Sequence, residues 1–203
     1  MPAIKQQGMY KLTYMESGLS MAMPLGTTSA SYIFRANSLF DPNNTGVGTQ
    51  PYGYDQLCAA DALFQNYKVF ASKITIYCTP NLNTVRRLHV VVYPMRSALI
   101  TGTYQNAIIV PGARTMVYDA VTEGTRGDRI SNYVSIRKMY PESPMLADEG
   151  FYAASGGNPA NAVYWICQVF KDPAEGALAY TTYFDVAIKF YAQMFRSSIP
   201  IPS

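Results

Sequence analysis

The alternation of apolar and polar residues is clearest near the end of the chain, over residues 182–195. Successive side chains of a β-strand point to opposite faces, so this period of two predicts a long strand with one buried face. The predicted buried face holds Phe184, Val186, Ile188, Phe190, Ala192 and Met194. The predicted exposed face holds Tyr183, Asp185, Lys189, Tyr191 and Gln193.

The same pattern predicts further strands along the chain. A second long strand is expected at residues 67–78, with Phe70, Ile74, Ile76 and Cys78 facing in and Lys73, Thr75 and Tyr77 facing out. Residues 88–93 are β-branched and almost continuously apolar, which is typical of a third strand. Weaker candidates lie at residues 10–16, 32–36, 114–118, 133–138 and 162–170. The total is eight strands.

The lengths of the connections narrow the choice of fold. Eight strands suit a jelly roll, but also an immunoglobulin-like sandwich or an up-and-down barrel. The links 37–66, 95–113 and 139–161 are too long for a typical immunoglobulin-like domain of about 100 residues. One short helix is expected at residues 55–64, with Asp55 as its N-cap. We therefore predict an all-β fold, a single eight-stranded jelly-roll sandwich with long inter-strand loops and at most one short helix, in one domain over residues 1–203.

Composition indicates a surface that other chains cover. Charged residues make up 14% of the 203 residues, against about 25% in average soluble chains. Aromatic residues reach 13%, and tyrosine is favoured both in strands and at interfaces. The net charge is +3 without any run of Lys or Arg, and we expect no signal peptide or membrane span. The three cysteines, Cys58, Cys78 and Cys167, are predicted to be small buried side chains in a reducing compartment.

Residues 32–78 carry a series of short motifs in a fixed order. An aromatic-Arg-Ala-Asn-Ser segment begins at Phe34, and an Asp-Pro turn at Asp41 is followed by a glycine-rich loop. A Gln-Pro-Tyr-Gly step begins at Gln50, and a Tyr-Lys-Val…Ser-Lys-Ile strand begins at Tyr67. This quarter of the chain resembles the capsid proteins of circovirus-like viruses, the Rep-encoding circular single-stranded DNA viruses.

The resemblance implies a structural protein. It would self-assemble, in about sixty copies, into a small icosahedral T=1 shell that encloses a circular single-stranded DNA genome. The implied location is the virion, and the host cell interior during assembly, with the nucleus as a site suggested by the family. Surface loops would present the particle to a host receptor, which the sequence does not identify.

The expected arginine-rich arm is missing from the start of this sequence, which reads MPAIKQQ. Members of the resembled family commonly begin with such an arm, which neutralises the genome. At +3 per chain, about sixty copies carry about 180 positive charges, far fewer than a genome of even a thousand phosphates. Removal of an arm, packaging with counterions, and an empty particle remain as alternatives.

Two groups of residues are candidates for binding. Lys5, Lys11 and Arg35 are candidates for contact with nucleic acid, because the N-terminal end lies inside the shell in this family and Arg35 lies in the motif strand. Solvated or ion-paired roles are equally open for each of them. Arg126, Gly127 and Asp128 form an integrin-type tripeptide in a loop that jelly-roll shells commonly turn outward. Those residues could instead be surface ion pairs or a subunit contact.

No catalytic or cofactor site is expected. His89 is the single histidine and is predicted to be a half-buried strand residue, whereas a cupin-type metal enzyme needs several histidines. The turn at residues 41–46 has oxygen ligands but too few carboxylates for Ca²⁺, and Asp41 is expected to cap it. The alternative function is a soluble carbohydrate-binding jelly-roll module. Such a site would use an exposed Trp or Tyr beside Asp and Asn, and the single Trp, Trp165, falls inside an apolar strand.

Overall fold

Nine strands are present in the computed structural model, which describes residues 7–46, 49–59, 62–79, 87–119, 129–142, 148–172 and 179–196. The strands are β1 (Gln7–Met23), β2 (Ser29–Arg35), β3 (Asn66–Thr79), β4 (Arg87–Met95), β5 (Arg114–Asp119), β6 (Arg129–Ser135), β7 (Tyr152–Ala154), β8 (Tyr164–Lys171) and β9 (Tyr180–Phe195). The predominance of β structure is confirmed.

The strands form two antiparallel sheets. One has the order β1-β9-β3-β6, with the short β7 paired to β3, and the other has the order β2-β8-β4-β5. Apart from the β4–β5 pair and the short β7, successive strands alternate between the sheets, as in a jelly roll. The predicted sandwich is therefore correct, and β7 makes nine strands where eight were predicted.

The main core lies between the sheets. All six residues predicted for the inner face of the last strand are buried there. Trp165 of β8 is fully buried, and its Nε1 donates a hydrogen bond to Ser72 Oγ of β3 at 3.0 Å, which links the two sheets. Burial of this apolar face supplies the main favourable free energy of folding.

A second, smaller apolar cluster covers the outer face of the β2-β8-β4-β5 sheet. The connection between β4 and β5 folds back over that face, and Ala107 of its helix packs with Phe170 and other residues of the sheet. Gln168 fixes the connection, because its side chain bonds to Thr101 through both its amide nitrogen and its oxygen, at 2.9 and 2.7 Å. One of the long links is thus a packed part of the fold.

The prediction of at most one short helix was wrong. The described residues contain α1 (Tyr54–Leu57), α2 (Tyr104–Ile108), α3 (Ile136–Met139) and a 3₁₀ turn (Glu149–Phe151), and none of these helices is long enough to cross a membrane. The helix expected at 55–64 ends at Leu57, because Cys58 leaves it to form a bridge with Phe64 that brings both side chains into the core. Gly53, at φ +79°, occupies its N-cap position instead of Asp55.

The end of β6 and the inner face of β3 also differ from the prediction. The strand expected at 133–138 ends at Ser135, where α3 begins. A continued strand would turn Lys138 to the same inner face as Ile136, whereas one helical turn buries Ile136 and leaves Lys138 exposed. In β3, a register shift between Val69 and Ala71 leaves Phe70 only half-buried, although it was predicted to face inward.

Candidate nucleic-acid interface

The central part of the outer face of the β1-β9-β3-β6 sheet carries exposed polar side chains. In its central strands Ile74 and Ile188 are fully buried between the sheets. Their neighbours Lys73 and Lys189 therefore point to the opposite face, where both are exposed. The alternation read from the sequence places these two lysines correctly.

Each of the four strands β1, β9, β3 and β6 contributes one exposed cation to this face. They are Lys11 of β1, Lys189 of β9, Lys73 of β3 and Arg129 of β6, and all are exposed. Among the described residues, none of these four side chains forms an ion pair or a hydrogen bond. Asp185 of the same face instead accepts a hydrogen bond from the backbone N–H of Gly18 at 2.8 Å.

The register brings two of the cations together. Lys73 lies directly opposite Lys189 in the β3–β9 pair. Like charges directly opposite each other in a sheet are destabilising. An anion lying across this pair would remove the repulsion, so the position favours binding of a negatively charged partner.

Tyrosines lie between the cations. The face carries Tyr77, Tyr133, Tyr183 and Tyr191, and Tyr133 is 58% exposed. Register pairs Tyr133 with Lys73 and Tyr191 with Lys11, and the rings of Tyr133 and Tyr191 meet edge to face at 6.5 Å between centroids. Cations that bind phosphates, with aromatic rings on which unpaired bases stack, are the usual components of a surface for single-stranded nucleic acid.

We name these eight residues the Lys-Tyr face. Of the residues predicted to contact nucleic acid, the structure places Lys11 on it, whereas Lys5 lies outside the described residues. Lys73, Lys189 and Arg129 were missed as a group. The alternation predicted that Lys73 and Lys189 face outward. Only the strand pairing shows that they share a surface with Lys11.

Arg35 lies on β2 in the other sheet. Its Nη1 contacts the Asp41 carboxylate at 2.5 Å and the carbonyl oxygens of Asp41 and Asn43 at 3.1 and 3.3 Å. These bonds close the turn at residues 41–46, and contact of Arg35 with nucleic acid stays a prediction. Asn43, rather than Asp41, caps the turn, because its Oδ1 accepts hydrogen bonds from Thr45 N and Oγ1 at 3.0 and 2.8 Å.

The histidine and the cysteines lie where they were predicted. His89 is half-buried on β4, and Cys58, Cys78 and Cys167 are free and buried. Burial raises the pKa of the Cys58 thiol to about 11 and raises that of Cys167 further, so both remain protonated near neutral pH. No group of three or more His, Cys, Asp or Glu residues that could hold a metal occurs in the described ranges. Arg126, Gly127 and Asp128 lie outside them.

Comparison with known proteins shows a likeness of fold. No family model matches the sequence. No curated protein matches it either. A chain from a structure of the giant freshwater prawn (Macrobrachium rosenbergii) nodavirus semi-empty VLP is 10% identical, with a TM-score of 0.54 over 98% of this chain and 88% of that one. A chain of Mud crab tombus-like virus is 9% identical, with a TM-score of 0.54 over 98% and 96%.

The capsid protein of BFDV, solved as a decamer, is also similar. It is 13% identical over 92% of this chain and 99% of that chain, and its TM-score of 0.45 is too low to support an argument. At identities of 9 and 10%, the two virus chains above show that this protein has the fold of viral shell subunits. They do not by themselves give its function.

Proposed function

We propose that this chain is the single-domain subunit, residues 1–203, of a small icosahedral viral shell, and that its role is structural rather than catalytic. The observation that carries the proposal is the likeness to the prawn nodavirus and mud crab virus chains, which extends over 98% of this chain. The alignment therefore spans both sheets of the sandwich. The charge-poor, tyrosine-rich composition supports assembly with other copies of the chain.

The finer features of the shell rest on the motifs of residues 32–78. Their resemblance to capsid proteins of circovirus-like viruses supports a single-stranded DNA genome and a T=1 particle of about sixty copies. It also supports a location in the virion, and in the host cell, including its nucleus, during assembly. Host attachment through Arg126, Gly127 and Asp128 is part of the same proposal, with an unidentified receptor.

The Lys-Tyr face is the proposed inner wall against the genome. Lys73 and Lys189 supply adjacent positive charges without described partners, and the tyrosines supply rings for stacking. Because phosphate contacts release counterions, nucleic-acid uptake should weaken as salt is raised. The face would concentrate four positive charges of each chain against the genome, although the net charge of the whole chain is only +3.

A soluble carbohydrate-binding module remains the alternative function. Trp165 does not serve it, because this side chain is fully buried between the sheets. A protein that stays monomeric and binds sugar would favour this alternative over the shell.

The first experiment is electron microscopy of the purified full chain, with the ratio of absorbance at 260 and 280 nm measured on the same sample. We expect uniform particles roughly 20 nm across, about the size of a shell of sixty such subunits. The double variant Lys73→Gln/Lys189→Gln should form the same particles with a lower absorbance ratio, because it keeps the fold but removes phosphate contacts. A chain that stays monomeric at every salt concentration and pH would contradict the proposed shell.

The matched control is Arg137→Gln/Lys138→Gln, which removes two exposed cations of α3 outside the Lys-Tyr face. This control loses two positive charges, as the test variant does. If both variants lower the absorbance ratio equally, total charge rather than this face drives uptake. If neither lowers it, the genome lies against another surface.

A further inference from the structure

A cavity of about 450 Å³ lies at one end of the β2-β8-β4-β5 sheet, on the side covered by α2. Its walls come from four places in the chain: the β1–β2 loop, the start of β4, the start of α2 and the end of β8. Small-molecule pockets are commonly about 300–1,000 Å³, so the space suits a ligand of one or two rings. The Lys-Tyr face has no part in it.

One wall of the cavity is aromatic. Phe170 is buried on β8, and the ring of Tyr104 meets it edge to face at 5.6 Å between centroids. The ring of His89 lies 4.8 Å from that of Tyr104. Thr103 caps α2 by accepting a hydrogen bond from Asn106 N, which fixes the start of the helix and with it Tyr104. The result is an aromatic surface against which the C–H face of a ring can pack.

The rest of the cavity lining is polar. The Asp172 carboxylate lies 3.7 Å from His89 Nε2 and 3.8 Å from Arg87 Nη1, distances longer than a direct hydrogen bond. Asp172 lines the cavity, and a carboxylate has about four acceptor positions, which is the chemistry that ligand hydroxyls require. Nδ1 of His89 is buried and has no hydrogen-bond partner among the described residues. Gln105 and Thr28 add an amide and a hydroxyl to the lining.

We propose that this cavity binds a saccharide ring, stacked on Tyr104 and hydrogen-bonded through adjacent hydroxyls to Asp172 and Gln105. A pyranose has both a C–H face that packs on an aromatic ring and hydroxyls that need a carboxylate or amide. A phosphate ligand fits less well, because the Asp172 carboxylate in the lining would repel it. A cationic ligand would meet the positive charges of Arg87 and Lys171.

The use of this pocket in host attachment rests on the proposed function, but sugar binding itself does not. In a shell subunit the pocket would recognise glycans on the host cell. Three of the four segments that build it are strand ends and loops, which tolerate change more readily than the sheets. Glycan choice could therefore vary without loss of the fold.

The test uses the purified full chain on an array of immobilised oligosaccharides, followed by titration of the best-bound one in solution. We expect at least one oligosaccharide to bind. Asp172→Asn should raise its Kd about tenfold or more, because it removes a charge-assisted hydrogen bond. Tyr104→Ala should raise the Kd by a similar factor, because it removes the stacking ring. Ile109→Ala is the control, because it truncates an exposed side chain just after α2 that does not line the cavity, and it should leave Kd unchanged.

Several results would overturn the proposal. These are binding of no oligosaccharide even at millimolar concentration, preference for free nucleosides over every sugar, and an unchanged Kd in Asp172→Asn. If Tyr104→Ala fails to fold, Gln105→Ala takes its place, since Gln105 is exposed and its truncation spares the core. Particles that form normally but bind no sugar overturn this proposal alone, whereas a sugar-binding chain that never assembles supports it and contradicts the shell.

Discussion

Lys68 is a fully buried lysine near the start of β3. Its Nζ donates a hydrogen bond to the Tyr152 hydroxyl at 3.2 Å and lies 4.3 Å from the centroid of that ring. Burial lowers the pKa of Lys68 from 10.5 to about 8, and the charge of Asp148 opposes this effect only in part. A charged group in this position reduces the stability of the fold near neutral pH.

The contribution of Lys68 to stability should therefore rise with pH between about 8 and 10.5. Below this range both the folded and the unfolded chain hold the proton on Lys68, whereas within it the unfolded chain holds more, so this residue's contribution to the free energy of unfolding increases with pH. Lys68→Met should remove this rise and stabilise the protein at pH 7 by about 2 kcal/mol, after the loss of the Tyr152 contacts. Denaturant unfolding, followed by the fluorescence of the single Trp165, measures both effects.

Lys138→Met is the control for this measurement. Lys138 is exposed on α3, so its replacement should change the free energy of unfolding by no more than about 0.5 kcal/mol. A Lys68→Met protein that is less stable than the parent at pH 7 would show that the contacts with Tyr152 outweigh the burial of the charge.

Partners of single residues were the hardest feature to predict. The sequence placed His89 and the three cysteines correctly, because burial follows from the apolar pattern around them. It assigned the cap of the 41–46 turn to Asp41, but Asn43 has this role because Arg35 holds the Asp41 carboxylate. Arg35 and Asp41 are six residues apart and meet only because the chain turns back between them, and the pattern of polarity does not reveal this.

At the scale of the element, β9 was predicted well and β1 only in part. The alternation of β9 keeps one phase over its whole length, so the inner face could be read directly. In β1 the buried residues change phase, from Leu12 and Tyr14 to Leu19, Met21 and Met23. A register shift between Glu16 and Leu19, with Gly18 at φ +71°, causes the change. Because the alternation breaks there, the sequence predicted only the first half of the strand.

The phase of β9 can be tested with two neighbouring substitutions. Phe190→Asp should abolish soluble expression, because Phe190 is fully buried and an unpaired charge there costs several kcal/mol. Tyr191→Asp introduces the same charge on the outer face and should give folded protein. Circular dichroism and solubility of the two variants measure the difference. Equal behaviour of both would contradict the register of the last strand.

At the scale of the whole molecule, strand number and connection length were enough to predict the sandwich. They could not predict which strands become neighbours, because pairings such as Lys73 with Lys189 join segments more than 100 residues apart. The saccharide pocket was missed for the same reason, since α2 reaches His89 only by folding back over the sheet. Sites of this chain that depend on pairing between distant segments were therefore the ones that sequence patterns left out.

Tyr52 is the most informative position for assembly. Its side chain is 90% exposed, while its backbone N–H bonds to Thr13 O at 3.1 Å and the next residue, Gly53, holds a left-handed turn at φ +79°. The backbone of Tyr52 is therefore held in place while its large aromatic ring lies in solvent. Exposed aromatic side chains of this kind are enriched at the energetic centres of protein interfaces.

Tyr52→Ala should therefore prevent particle formation without unfolding the subunit. Truncation of a central interface tyrosine costs about 2 kcal/mol per contact, and a closed shell repeats that loss at every copy, whereas the isolated chain loses no packing. Tyr133→Ala, an exposed tyrosine on the proposed inner wall, should still assemble. Electron microscopy counts the particles, and thermal unfolding of dispersed subunits checks the fold. Normal particles from Tyr52→Ala would show that this ring lies outside the contacts between subunits.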